Sequence, residues 1–437
     1  MLAPLVGTVL QGLRQPCPTL RNGACRCRCL GCRDVAEGEL AGTRFVFLSY
    51  LDLNLHRFRL PLMRRLVSLG AQVFAVAPPW DGEDRFRDEQ GIEYIPFEMR
   101  GASLNPLHDL KVAPRLQRLI TSLDPHVLQT FMHKPNLLGG WLAARAPDMR
   151  VVSTVTGLGR LYEDGTGAMG RAARWGVEQM MGRAFSQVSA VVFQNTDDRD
   201  ELVSRGVCQE EQARLIRSSG VDLTQFSPAA VDPARPTALR AQWGIGADEV
   251  VVTMVARLLP SKGVREFAAA AEALRGRAKL VLIGPLEPSG GRLSRGATID
   301  SSEVGLWQRA GTLVAPGAQQ HIEDWLAMSD VYALPSYYRE GVPRSVLEGM
   351  AMGLPIVTTR MPGCRETVVE GENGFLVPPR DTDALVEALA KLADDPALRR
   401  HMGGRSLDLA HREFDSEAVA TQHLQLYREL LGAGVRG

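Results

Sequence analysis

The stretch Leu334-Pro335-Ser336-Tyr337-Tyr338-Arg339-Glu340-Gly341-Val342-Pro343-Arg344-Ser345-Val346-Leu347-Glu348 carries two glutamates, Glu340 and Glu348, eight positions apart. Just before it, Asp330-Val331-Tyr332-Ala333-Leu334 has the short apolar run of a buried strand. After it, Pro343 to Met352 reads as a helix with Pro near its first turn. Strand, loop and helix in that order put both carboxylates around a helix N-terminus at the carboxyl end of a strand. Open α/β sheets bind their ligands there. Free N–H groups and the positive end of the helix dipole suit phosphate. Carboxylates accept hydrogen bonds from hydroxyls. Phosphate and hydroxyl recognition side by side suits a nucleotide sugar. The bland alternative is a chance pair of helical glutamates.

Working upstream, the apolar run Val250 to Val255 reads as a strand that ends in Arg257, with Lys262-Gly263 before the next helix. Two fixed cations there suit a diphosphate, since charge-assisted bonds to phosphate are strong. The alternative is two solvated surface charges. Composition argues against it: only five of the 50 basic residues are Lys, so a Lys directly before a loop-end Gly is unusual for this chain.

The same alternation runs through the whole body. Arg44 to Ser49, Gln72 to Val76, Val127 to Gln129, Val151 to Val155 and Ala190 to Phe193 read as strands. A helix is expected over Leu60 to Leu69. Asp232 to Pro236, rich in Pro and Ala, looks like an interdomain boundary. The pattern restarts at Val250 to Val255, Lys279 to Ile283, Leu313 to Ala315, Val331 to Leu334 and Ile356 to Thr358. Alternating strand and helix means parallel, doubly wound sheets, here two in succession with a cleft between them.

Composition excludes several classes. The 437 residues suffice for two full cores. With 50 basic and 50 acidic residues and few aromatics, nothing points to nucleic acid. No apolar run reaches the roughly 18 residues of a membrane span. Met1 to Leu13 lacks the basic start and small-residue cleavage site of a signal peptide. Cys17, Cys25, Cys27, Cys29 and Cys32 crowd the start, where zinc ligation competes with a disordered extension; the absence of any apolar period favours the extension. Asp198-Arg199-Asp200 and Asp381-Thr382-Asp383 fit a metal-binding pattern, but each better starts a helix. Cys364 reads as a small buried thiol.

The glutamate pair, with Arg257 and Lys262 upstream of it, resembles the E-x7-E signature of the retaining glycosyltransferases of family four. Pro362-Gly363-Cys364-Arg365-Glu366-Thr367 and Asn373-Gly374-Phe375-Leu376-Val377 match it as well. In the first half, Phe58-Arg59-Leu60-Pro61-Leu62, Asn105 to Leu110, His133-Lys134-Pro135-Asn136 and Thr156-Gly157-Leu158-Gly159 resemble a bacterial subgroup. That subgroup adds sugars to undecaprenyl-diphosphate-linked glycans. The resemblance spans about Arg44 to Leu431. It implies the α/β GT-B fold, two Rossmann-like doubly wound domains facing a central cleft. The expected division is an extension over 1–42, an acceptor-side domain over 43–220, a donor domain over 221–415, and a terminal helix over 416–437 that crosses back to the first domain.

The resemblance also implies roles. Arg257 and Lys262 hold the diphosphate and stabilise the leaving group; Glu340 accepts from the donor sugar's hydroxyls; Glu348 holds the ribose; Gly341, Val342 and Pro343 shape the backbone beside them. His133, Lys134, Thr156 and Gly157 are acceptor-side candidates. Many relatives carry a His before a Gly where this chain has Thr156, so His133 is the nearest substitute. No cofactor or metal is expected, and the nucleotide sugar is a substrate. The acceptor is a lipid-linked or soluble glycan, reached from the cytoplasm by peripheral membrane contact. Met169 to Phe185, where Arg alternates with Met and Trp, is either that contact or an ordinary core-packing helix. The rival activities are a nucleotide-sugar 2-epimerase of the same architecture and a non-catalytic sugar-binding scaffold.

Overall fold

The computed structural model describes residues 38–79, 84–99, 106–162, 167–286 and 298–432. The first domain contains β1 (Arg44–Leu48), α1 (Asp52–Ser68), β2 (Gln72–Ala77), β3 (Ile92–Pro96), α2 (Pro106–Leu123), β4 (Val127–Phe131), α3 (His133–Ala143), β5 (Arg150–Val155), α4 (Gly167–Phe185), β6 (Ala190–Phe193), α5 (Thr196–Ser204) and β7 (Ala213–Leu215). The second contains α6 (Ala234–Gln242), β8 (Val251–Val255), α7 (Val264–Ala273), β9 (Lys279–Ile283), α8 (Ser301–Arg309), β10 (Leu313–Gly317), α9 (Ile322–Ala327), β11 (Val331–Leu334), α10 (Arg344–Ala351), β12 (Ile356–Thr359), β13 (Gly374–Val377), α11 (Thr382–Asp394) and α12 (Pro396–Glu413). The last helix is α13 (Ser416–Gly432).

The strands form two parallel sheets, ordered β3-β2-β1-β4-β5-β6-β7 and β10-β9-β8-β11-β12-β13. Central strands such as β4 and β6 are buried at every position, which explains their unbroken apolar runs. The order reverses between β1 and β4 in one sheet and between β8 and β11 in the other. Each reversal opens a crevice at the strands' carboxyl ends. Every candidate site residue lies on the loop or helix following one of these strands or the neighbouring β5, Glu348 within α10 and the others on a loop or helix start.

The chain crosses between the domains twice, side by side. Val221 N–H donates to Phe414 O at 2.8 Å and Ser416 N–H donates to Val221 O at 3.0 Å. Gly220 is needed there: its φ is +76°, and a Cβ would lie 2.5 Å from Ser416 Cα. After the second crossing, α13 packs on the first domain, burying Val419, Ala420, Leu424 and Leu426 with Phe45, Phe47 and Leu55. Its Tyr427 hydroxyl donates to Gln129 Oε1 at 2.8 Å inside that core.

Several expectations need correction. Asp232 to Pro236 is no linker; α6 starts at Ala234 and packs in the second domain against α9. The first helix starts at Asp52 rather than Leu60 and runs through Pro61. Pro61 removes one helical hydrogen bond, but eight buried residues hold the helix together across it. Strands β3, β7 and β13 escaped the reading because they are only partly buried, and β3 and β7 lack an unbroken apolar run. Within the extension expected over 1–42, the described residues belong to the first domain: Leu40 is buried in its core and Arg428 pairs bidentately with Glu39; residues 1–37 lie outside the described residues. The early cysteine cluster lies outside the described residues.

His423 on α13 is almost fully buried, and burial together with Arg59 drives its pKa from 6.5 to about 3. Below pH 6.5 the unfolded chain protonates this site and the folded chain does not. The stability gained from neutral burial is therefore complete above pH 6.5 and is lost as pH falls toward 3. The slope is about 1.4 kcal/mol per pH unit. His423→Gln should lose less thermal stability than the wild type between pH 7 and pH 5, by roughly 2 kcal/mol. Equal losses by calorimetry would show that His423 does not drive the acid response.

Candidate functional site

Two loops of the second domain build the site's floor. The first runs from Arg257 to Gly263 after β8, the second from Pro335 to Pro343 after β11. They are laced together at Ser261, whose carbonyl accepts from Tyr337 N at 2.9 Å, Tyr338 N at 3.1 Å and Ser336 Oγ at 3.2 Å. Gly263 permits this approach. Its φ is +77°, and a Cβ would sit 2.1 Å from Pro335 O.

The lacing brings Lys262 and Glu340 into direct contact. The Lys262 ammonium pairs with Glu340 Oε1, which also accepts from Ser336 Oγ at 3.0 Å. Both side chains are about nine-tenths buried, so the pair is only weakly screened by solvent. Arg257 is different. It is exposed after the end of β8, and its guanidinium makes no hydrogen bond or ion pair with the described residues. The floor thus offers one committed cation and one open cation.

Glu348 lies one helix face further on. Arg344 Nε donates to Glu348 Oε1 at 3.1 Å, one turn apart on α10. Burial pushes the Glu348 carboxyl up, while Arg344 and Arg57 act against that shift. Arg57 belongs to α1 of the first domain, and the neighbouring Phe58 ring lies 5.4 Å from the Arg344 guanidinium. Glu348 therefore sits where the two domains face each other. Between the glutamates, Pro343 caps α10 without a side-chain hydrogen bond, leaving the first helical N–H groups for a ligand.

The first domain meets this floor by backbone. Gly157 has φ +118°, and a Cβ there would lie 2.7 Å from Gly341 N. A Cβ at Gly341 would lie 2.8 Å from Thr156 O and from Gln194 Oε1. On the other side, a Cβ at Gly363 would meet Gly341 O at 1.7 Å. Gly157, one of the acceptor-side candidates, admits the backbone of the opposite domain. Thr156 and Gly157 are thus beside Gly341, whereas His133 and Lys134 start α3 directly after β4. Burial lowers the His133 pKa, favouring the neutral imidazole. Lys134 is buried.

Sequence reasoning missed the residues that clasp this junction. Asn195 Nδ2 donates to Glu340 O at 3.2 Å and Gly341 O at 3.3 Å. Its Oδ1 caps α5 by accepting from Asp198 N at 2.8 Å. Arg339 Nε donates to the fully buried Asp198 carboxylate at 2.9 Å. Thr196 N–H donates to Glu366 Oε1 at 3.0 Å, and Arg365 pairs with Asp197. Asp198 and Asp381 both begin helices, as their sequence contexts suggested: Asp198 in the first turn of α5, Asp381 as the cap of α11. Nothing in the chain's linear pattern signalled that Asp198 faces Arg339, since the two are far apart in sequence.

Cys364 is fully buried, and burial beside Glu340 pushes its thiol up to about 12, so it is no nucleophile. Among the described residues no cluster of three or more His, Cys, Asp or Glu is placed to hold a metal ion.

The clasp predicts a separation of binding from turnover. Asn195→Ala and Gly157→Ala should each lower kcat about tenfold, roughly 1.4 kcal/mol, with nucleotide affinity nearly unchanged. Arg257, Lys262 and Glu348, the residues expected to hold the nucleotide, lie on the second domain, whereas Glu340 is held across the junction by Asn195. Unchanged kcat in both folded variants would show that the clasp does not position Glu340.

Comparison with known proteins agrees with this geometry. Residues 55–218 match the glycosyl transferase 4-like domain family, and residues 237–406 match glycosyl transferases group 1. The chain is 28% identical over 390 residues to the N,N'-diacetylbacillosaminyl-diphospho-undecaprenol alpha-1,3-N-acetylgalactosaminyltransferase of Campylobacter jejuni, covering 89% of this chain and 99% of that one. It is 29% identical to the GDP-mannose-dependent alpha-(1-6)-phosphatidylinositol monomannoside mannosyltransferase of Mycolicibacterium smegmatis, covering 75% of this chain and 82% of that one. Sucrose-phosphate synthase from Thermosynechococcus elongatus superposes with a TM-score of 0.71 at 22% identity, over 90% of this chain and all of that one. Anabaena HepE in complex with UDP superposes with a TM-score of 0.70 at 17% identity, over 89% and 99%. With both domain families matched in order on two facing Rossmann-like sheets, the chain belongs to the family-four, group 1 glycosyltransferases of the GT-B fold.

Proposed function

We propose that this glycosyltransferase moves a hexose or N-acetylhexosamine from a nucleotide-diphosphate sugar to a lipid-diphosphate-linked glycan. It does so with retention at the anomeric carbon and without a metal ion. The observation that carries the reading is the contact of Lys262 with Glu340 beside the open Arg257. When a donor enters, Lys262 turns from Glu340 to the diphosphate, joining Arg257. Glu340 is then free to accept from the sugar's hydroxyls, with Ser336 still orienting it. Glu348 accepts from the ribose. The N–H groups at the start of α10 face the phosphates, beside Gly341, Val342 and Pro343.

The bond from the anomeric carbon to the diphosphate oxygen breaks with its electron pair on the diphosphate. Two cations meet that charge as it develops, and losing one such contact costs about 3 kcal/mol. The acceptor hydroxyl attacks from the leaving-group side, and its proton passes to the departing phosphate oxygen. His133, Lys134, Thr156 and Gly157 stand on the first-domain side, where the acceptor approaches. Similarity to an undecaprenol-diphosphate glycosyltransferase over nearly the whole chain supports a lipid-linked acceptor and peripheral work at the cytoplasmic membrane face. It also favours transfer over epimerisation, for which no observation speaks.

A mass-spectrometric screen of nucleotide sugars against polyprenyl-diphosphate-linked acceptors tests the reading. One acceptor should gain a single sugar, in EDTA as well as without it. Arg257→Ala should lower the rate about a hundredfold. Lys262→Ala should do the same, measured with a melting curve because Glu340 then loses its cation. Abolition by EDTA with rescue by magnesium would end the metal-free mechanism, and a new nucleotide sugar formed from donor alone would make the protein an epimerase.

A further inference from the structure

Helix α4 is packed at one end only. Its buried residues, Glu178, Met181, Ala184 and Phe185, all lie in its second half. There Gly140 of α3 comes so close that a Cβ would lie 2.5 Å from Ala184 Cα. From Gly167 to Gly176 no residue is buried. Yet this half carries Met169 at 87% and Trp175 at 65% exposure, and Met180 follows at 52%. Those are three of the five exposed large apolar side chains among the described residues. The half also contains Gly170 and Gly176, poor helix formers, so neither packing nor propensity explains its apolar surface.

The exposed charges on this helix have one sign. Arg171 and Arg183 are exposed and have no ion pair among the described residues. The only acid of the helix, Glu178, is buried and lies 3.6 Å from Arg205. At about 100° per residue, Met169, Ala172, Trp175, Met180 and Arg183 share one exposed side. A side of Met and Trp edged by Arg, with no exposed carboxylate, matches an anionic lipid interface. Apolar groups enter the acyl boundary there, Trp sits at headgroup level and Arg meets phosphate. A second copy of this chain fits less well, because a symmetric contact would set these Arg side chains against their own kind.

We propose that the exposed face of α4 docks the protein on an anionic phospholipid surface. The docking would bring the acceptor end of the cleft to the bilayer. The Tyr162 ring, which precedes the helix, lies 5.0 Å from the Arg174 guanidinium and 5.6 Å from that of Arg339, the neighbour of Glu340. This purpose rests on the lipid-linked acceptor proposed above; the docking itself does not.

Vesicles of phosphatidylglycerol and phosphatidylcholine, free of any glycan lipid, test the surface with the full chain. The wild type should co-sediment with them, less so at higher salt, and not with phosphatidylcholine alone. Arg171→Glu with Arg183→Glu should weaken the partition at least tenfold, and so should Trp175→Ala with Met169→Ser. Trp175 emission should shift to the blue on binding, by difference from Trp175→Phe. Wild-type protein that ignores the anionic vesicles overturns the proposal, as do variants that bind as tightly. A dimer that these variants dissociate overturns it too, by giving the face to a second copy. Both double variants should transfer normally to a short-chain, water-soluble acceptor. If no acceptor works while vesicle binding holds, the functional reading fails and the docking surface stands.

Discussion

Gly341 is held between two backbones, Gly157 of one domain and Gly363 of the other, with no space for a side chain at any of the three. This contact forces the rest of the junction. The loop that carries Glu340 cannot move without breaking hydrogen bonds to Asn195 or the buried pair of Arg339 with Asp198. A buried, fully partnered pair loses several kcal/mol when one partner is removed. The position of Glu340 therefore depends on contacts from both domains. The paired crossings at Val221 and Asp415, together with α13 packed on the first core, form the chain connection between them.

Charge at the floor follows from the same closeness. Lys262 and Glu340 neutralise each other across loops laced at Ser261, so neither is left unpaired in a half-dry cleft. In the proposed function, a diphosphate would compete for Lys262 and sugar hydroxyls would offer Glu340 new donors. That exchange of partners would tie the state of one group to the arrival of the other, with the exposed Arg257 as a first contact for the phosphates.

Most of the fold was legible because its signals are local. Buried central strands show as unbroken apolar runs, and strand-loop-helix order places Glu340, Glu348, Arg257 and Lys262 after the carboxyl ends of two strands, which the structure sets side by side at the strand-order reversal. Weak edge strands such as β3 and β7 lack that signal. The helix expected from Leu60 starts at Asp52 instead, because tertiary burial keeps α1 going through Pro61. The clasp was not legible for a deeper reason. Asn195 and Asp198 look like ordinary helix-start residues, and they are; their second task depends on residues about 140 positions away that share no pattern with them.

The exchange of partners at Lys262 is the centre of this account, and a crystal structure with a bound, non-transferable nucleotide-sugar analogue tests it most directly. The account predicts Lys262 Nζ on a diphosphate oxygen, Glu340 on a sugar hydroxyl, and Asn195 still holding the Glu340 carbonyl. A donor bound elsewhere, or bound with the Lys262–Glu340 pair intact, would contradict it.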